Sequence, residues 1–313
     1  MEKGCDVAIV GGGPAGLSAA LMLGRARRAV LLIDDGGERN LSVRESHGFL
    51  GYDGCSPREL LARARVQLET YSTITHVSDH VDAIEGAIDR FEVHLRSGET
   101  VLARRIIFAT GVRDDLPEID GVDALWGKRI FVCPYCDGWE FRDRRIAIVG
   151  NTRTALELAQ ELWTWSRDLV VCSTKGMPLP EQVQTWQAAA AIDVIESRPD
   201  VIREQDEKVI IDCAGGEHVE CDVVFMCAPL KQHSKLPEVL GCELTERGTI
   251  KTDAENRTTV AGCFAAGDCV TKYHQIAFAA ASATCAAIAI NEEFYTSDAQ
   301  ALIGGRQLGS LAR

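Results

Sequence analysis

Val7-Ala8-Ile9-Val10-Gly11-Gly12-Gly13-Pro14-Ala15-Gly16 is the stretch that decides the fold. A short apolar run breaks into glycines, after which Leu17, Ala20, Leu21 and Gly24 recur at helical spacing. This reads as strand, phosphate loop and helix. Gly11 permits the tight turn, Gly13 lets a pyrophosphate approach the backbone, and Gly16 lets helix and strand pack closely. Pro14 and Ala15 open the helix, whose N-terminus presents its partial positive charge to phosphate. A second strand, Val30-Leu31-Leu32-Ile33, ends in Asp34, 23 residues after Gly11, where an acid accepts bonds from ribose hydroxyls. In that context a dinucleotide site is the better reading than a purely structural glycine turn.

The same design returns once. Ile146-Ala147-Ile148-Val149 leads into Gly150-Asn151-Thr152-Arg153-Thr154-Ala155 and a helical stretch through Trp163, beginning 139 residues after the first copy. Between the copies, Phe91–Leu95 and Val101-Leu102 flank Ser97-Gly98-Glu99 as a β-hairpin, and Arg105 to Gly111 forms a buried strand ending in a turn. The polar stretch Val112 to Gly121 reads as a linker. A return near Leu244–Gly248 leads to the strand and turn Gly262 to Asp268. The expected fold is therefore α/β, with two Rossmann-like dinucleotide-binding domains, the second inserted into the first. Residues 1–115 and 245–313 form one domain and 116–244 the insert.

With 46 Asp plus Glu against 33 Lys plus Arg, the net charge of -13 is the wrong sign for nucleic acid or anionic membranes. The N-terminus shows neither a long apolar region nor a cleavage site, so a cytoplasmic location is expected. Ile276 to Ile290 is Ala-rich, too short to span a bilayer, and reads as a buried helix. Twelve cysteines without a secretion signal fit a reducing compartment. No second CxxC or histidine pair lies at a zinc-finger interval, so no metal is expected.

Cys133-Pro134-Tyr135-Cys136 is the one pair at CxxC spacing. Pro134 tolerates the first turn of a helix, which sets both sulfurs at a helix N-terminus, where thiolate is favoured and disulfide exchange is fast. Asp137, beside the second sulfur, is placed to carry protons for a departing thiolate. The competing reading, two buried structural cysteines, explains neither Asp137 nor Gly138.

In this order, the GGGPAG loop at Gly11, the Ala109-Thr110-Gly111 turn, the CxxCDG motif at Cys133, the degraded second loop and Ala266-Gly267-Asp268 followed by Gln275 resemble the low-molecular-weight thioredoxin reductases. These are FAD-containing pyridine nucleotide-disulfide oxidoreductases, and the likeness covers nearly the whole chain. It implies that the first loop binds FAD, that Gly267 and Asp268 meet its ribityl and phosphate region, and that Gln275 and Ile276 sit at the flavin ring. Val81, Ala109, Thr110 and Gly111 join the cofactor set, as do Arg39, Asn40 and His47 from a segment that wraps over the flavin. It implies also that Cys136 exchanges electrons with the flavin, that Cys133 meets the substrate sulfur, that Asp137 is the acid/base, and that the protein is a homodimer.

The chain departs from the family where NADPH should bind. Asn151 and Thr152 replace glycines, Thr174 and Lys175 replace two adjacent arginines, the third falls near Leu179, and a further glycine reads as Pro229. One lysine lacks the bidentate reach of several arginines. Two readings follow: loose binding of a nicotinamide nucleotide by other contacts, or a vestigial site in a protein whose electron partner is dioxygen, a ferredoxin or another flavoprotein. The CPYC pair resembles that of gliotoxin-type dithiol oxidases. A thioredoxin-like protein or a small dithiol or disulfide is the expected substrate. An ordinary NAD(P)H-dependent thioredoxin reductase and a non-catalytic flavin-binding redox sensor are the alternatives.

Overall fold

The computed structural model describes residues 4–310. The chain forms two compact units, one of Met1–Arg39, Arg58–Arg113 and Lys231–Arg313, the other of Asn40–Pro57 and Asp114–Leu230. In the first unit, β1 (Gly4–Val10), α1 (Pro14–Arg25) and β2 (Val30–Asp34) form the expected strand, loop and helix, followed by α2 (Pro57–Leu68) and β3 (Ile74–Ser78). Val7, Ala8, Ile9 and Val10 are all buried, as a continuous apolar run requires of a parallel central strand. Then β4 (Val81–Ala87), β5 (Arg90–Leu95) and β6 (Thr100–Phe108) add an antiparallel arm, with β6 returning parallel to β1. The expected hairpin is the β5–β6 pair.

The chain leaves this unit through β7 (Val112–Asp114) and comes back through β16 (Leu230–Gln232), two short strands that pair with each other. Between them lie α3 (Val122–Leu125), β8 (Ile130–Phe131), α4 (Pro134–Asp137), β9 (Ile146–Asn151), α5 (Thr152–Leu162), β10 (Leu169–Lys175), α6 (Glu181–Ala190), β11 (Asp193–Ile195), β12 (Pro199–Gln205), β13 (Lys208–Cys213), β14 (His218–Cys221) and β15 (Val223–Met226). They make a five-stranded parallel sheet, β11-β10-β9-β15-β8, and a three-stranded sheet, β12-β13-β14. The return comes at Lys231 rather than at 245, because β16 already pairs with β7.

After α7 (Leu236–Val239), β17 (Cys263–Ala265) pairs with β6 and completes a seven-stranded sheet of order β3-β2-β1-β6-β5-β4. Over residues 276–294 the helix α8 (Ile276–Ser310) is buried on one face only. Ala279, Ala283, Ala286, Ile290 and Phe294 are inside, three or four residues apart, while Phe278 and Ile288 face outward. The expected buried helix is thus amphipathic. Arg105, only 6% exposed, pairs with Asp89 and with Glu293 of this helix, satisfying a charge that burial otherwise penalises. Among the described residues no helix is long and apolar enough to cross a membrane.

Gly11 and Gly16 are where backbone geometry excludes a side chain. Gly11 has φ +107°, and a Cβ on Gly16 would lie 1.8 Å from the Gly11 carbonyl oxygen. Gly16→Ala is therefore expected to destabilise the fold by at least ~1–3 kcal/mol, the usual cost of forced overpacking. It is also expected to lose flavin; urea unfolding together with the flavin-to-protein absorbance ratio checks both effects.

Candidate functional site

The two loops, alike in sequence design, are finished differently. In the first, Gly13 caps α1 without any side-chain hydrogen bond, so the helix N-terminus keeps donors for a ligand. A Cβ built on Gly13 meets nothing nearer than the Glu38 side chain at 3.9 Å, leaving open the approach that a pyrophosphate needs. Asp34 is buried at the end of β2, where its Oδ1 accepts the Gly12 N–H at 3.1 Å. Its Oδ2 lies 3.1 Å from Arg65 Nη2, which also pairs with Glu38. Glu38 and Arg65 thus complete an acid–base cluster with Asp34 that sequence reasoning missed. Glu38, four residues beyond the strand end, was the available signal.

Other residues of the expected cofactor set gather in the same unit. The Ala109 N–H donates to the Val10 carbonyl, so the Ala109-Thr110-Gly111 turn lies at the end of the strand pair that carries the loop. Thr110 Oγ1 is buried without a hydrogen-bond partner, an uncompensated polar atom that a ligand would satisfy. Asp268 Oδ2 lies 3.5 Å from Arg39 Nη1. Gly267 donates its N–H to Ser282 Oγ at 2.9 Å, which ties the Gly267-Asp268 turn to α8. Gln275 and Ile276 stand at the start of that helix. Val81 is packed into the hydrophobic core of the unit, so its backbone is what it has to offer a ligand. Donors at a helix start, an open glycine, a ribose-side acid and an orphaned hydroxyl fit FAD.

In the second loop the protein satisfies itself. The Asn151 side chain accepts the Thr154 N–H at 3.0 Å and caps α5. Thr152 is buried, with its hydroxyl 2.8 Å from that of Ser173. Gly150 is surrounded: a Cβ there would lie 2.7 Å from Cys227 Cβ, so packing alone accounts for this glycine. Leu179 packs on the core where the family's third arginine was expected nearby. The Pro229 carbonyl accepts the Asp115 N–H at 2.8 Å.

Cys133 and Cys136 form a disulfide, with Cα atoms 5.3 Å apart. Pro134 starts α4 as expected, but that helix is a single turn, so its dipole adds little to thiolate stability. Gly138 follows its last residue, and only glycine fits there because a Cβ would meet the Pro134 carbonyl oxygen at 2.5 Å and Trp165 at 3.1 Å. Tyr135 and Trp139 are exposed beside the disulfide, and Tyr135 meets Trp165 edge to face. Trp163 and Trp186 pack against the core of the unit. Asp137 is half-buried, and burial first, then the Glu140 carboxylate, push its pKa up to about 7, opposed by His47.

Asn40 and His47 belong to the compact unit that holds this disulfide. The other ten cysteines are outside disulfides, and burial pushes thiols such as Cys172, Cys221 and Cys269 up to about 12, which silences them as nucleophiles. Among the described residues no cluster suited to a metal ion occurs.

Comparison with known proteins agrees with this architecture. The family model described as pyridine nucleotide-disulphide oxidoreductase matches residues 5–283. A probable thioredoxin reductase of Arthroderma benhamiae is 31% identical over 97% of this chain and 84% of its own. Among solved structures, HlmI superposes with a TM-score of 0.91 at 32% identity, covering 98% of each chain. An oxidoreductase from Agrobacterium tumefaciens gives 0.87 at 35% identity over 95% of this chain and 99% of that one. With an open glycine loop in one unit and the Cys133–Cys136 disulfide in the other, the chain belongs to the pyridine nucleotide-disulphide oxidoreductases, as a flavin-dependent enzyme of thioredoxin reductase-like type.

Proposed function

We propose that this protein is a dithiol–disulfide oxidoreductase in which FAD exchanges two electrons with Cys133–Cys136 without ordinary use of NADPH. Dioxygen, a ferredoxin or another flavoprotein stands at the far end of the electron path, and a small dithiol or a thioredoxin-like protein at the near end. The observation that carries this reading is the self-capped second loop: Asn151 occupies a helix N-terminal donor, and Thr152 is buried against Ser173 where a pyrophosphate needs glycine. The homodimer that the resemblance implies is part of the proposal.

When bound, FAD supplies two-electron redox chemistry. In the exchange itself a substrate thiolate bonds to Cys133 Sγ and the Cys133–Cys136 bond breaks. Asp137, whose raised pKa lets it hold a proton near neutrality, gives that proton to the departing Cys136 thiolate. Asp137 then takes the proton of the second substrate thiol, whose sulfur closes the substrate disulfide and releases Cys133. The substrate loses two electrons and the cysteine pair gains them.

The test is turnover of dithiothreitol by the flavin-loaded protein with no nicotinamide present, in air and with an electron-accepting dye. Oxidation well above the buffer rate, lost in Cys133→Ser, is expected. Turnover that begins only when NADPH is added contradicts the reading.

A further inference from the structure

We infer that Arg65 is a positioning residue for FAD: its guanidinium holds the Asp34 and Glu38 carboxylates beside the phosphate loop and cancels charge that would otherwise repel the pyrophosphate. The inference rests on the reading of the first loop as the FAD site and adds the cation that this loop needs.

The geometry begins with α2, which precedes β3, the strand that lies parallel beside β2. Leu61 and Leu68 are buried on that helix, and Arg65, four residues after the one and three before the other, shares their face. A cation therefore rides on the apolar stripe, in the last turn, where the helix dipole also favours positive charge. Its Nη2 lies 3.1 Å from Asp34 Oδ2 and also meets Glu38 Oε1.

Both acids abut the loop glycines. A Cβ on Gly12 would lie 2.4 Å from Asp34 Cγ, and one on Gly13 would lie 3.9 Å from Glu38 Cγ. Asp34 Oδ1 accepts the N–H groups of Gly12 and Gly36, at 3.1 and 3.3 Å. The Asp34 and Glu38 side chains are only 7% and 6% exposed, so salt and water screen them little. Two buried carboxylates beside a loop that receives an anion oppose each other and the ligand, and one shared cation removes that conflict. Arg65 Nε is in addition buried without a hydrogen-bond partner, the mark of a polar set that something else completes. A cluster that served packing alone would loosen on the loss of Arg65 and loosen further on the loss of Glu38.

The experiment measures FAD retention and needs no turnover. FAD-loaded protein is diluted serially and ultrafiltered, and the flavin fluorescence of the filtrate gives the dissociation constant. Arg65→Met is expected to weaken FAD binding about ten- to a hundredfold, as the loss of one partly screened counter-charge should. Adding Glu38→Gln, which removes one of the two stranded carboxylates, is expected to regain about tenfold of that loss. Arg65→Lys keeps the charge without the fork and is expected to lose less than Arg65→Met. Circular dichroism identifies any variant that fails to fold, and if Arg65→Met does, Arg65→Gln with and without Glu38→Gln decides in its place. Wild-type retention of FAD by Arg65→Met, or a double variant that binds no better than Arg65→Met, overturns this proposal alone. Wild-type protein that takes up no FAD overturns the reading of the first loop and this proposal with it.

Discussion

Replacing Cys136 with serine is expected to abolish dithiol–disulfide exchange, by about a thousandfold or more, because the redox bond itself is removed. Replacing Cys133 is expected to do the same. The buried thiols cannot stand in. Cys172, Cys221, Cys263 and Cys269 are buried and their pKa values are raised by burial, so thiolate is scarce at neutral pH. Both variants are expected to retain about one FAD per chain, since Gly11, Gly13, Asp34 and Thr110 lie in the other compact unit. Cys133→Ser is expected to leave the Cys136 thiolate in contact with the flavin, seen as a long-wavelength charge-transfer band. Turnover of dithiols at the wild-type rate by both variants would make the pair structural.

The elements legible in the sequence are those where chemistry restricts the residue. Gly11 and Gly16 announce the first loop because the backbone there excludes a Cβ, and Val7–Val10 announce β1 because both its faces are covered. Pro134 and Gly138 bound the cysteine turn for the same kind of reason. What stayed hidden depends on distant partners. β7 and β16 are three residues each, too short to carry a period, yet their pairing sets where the chain returns to its first unit. The segment around His47 looks like part of the flavin unit until Val43 is seen packing on the other core. Arg65 meets Asp34 and Glu38 only through the tertiary fold. Asn151 is a strong N-cap residue by type, but beside a lost glycine it reads first as a defect.

The second large effect concerns NADPH, which is expected to reduce the flavin far more slowly than a dithiol does. Thr152 places a buried side chain where the pyrophosphate needs glycine, and Asn151 already holds a helix N-terminal donor. Thr174 and Leu179 stand where cations were expected, with Lys175 offering a point charge instead of a guanidinium fork. Each missing charge-assisted contact is worth roughly 1.5–3 kcal/mol, so two of them weaken binding by roughly two to four powers of ten. The desolvation of an unpartnered 2′-phosphate adds to that loss.

Anaerobic stopped-flow measures this directly, with the flavin band followed after mixing the FAD-loaded protein with equal concentrations of NADPH, NADH or a reduced dithiol. Prompt bleaching by the dithiol, with both nicotinamides slow and unsaturated over the same range, is the predicted result. Fast, saturable bleaching by micromolar NADPH would contradict it and make the protein an ordinary thioredoxin reductase.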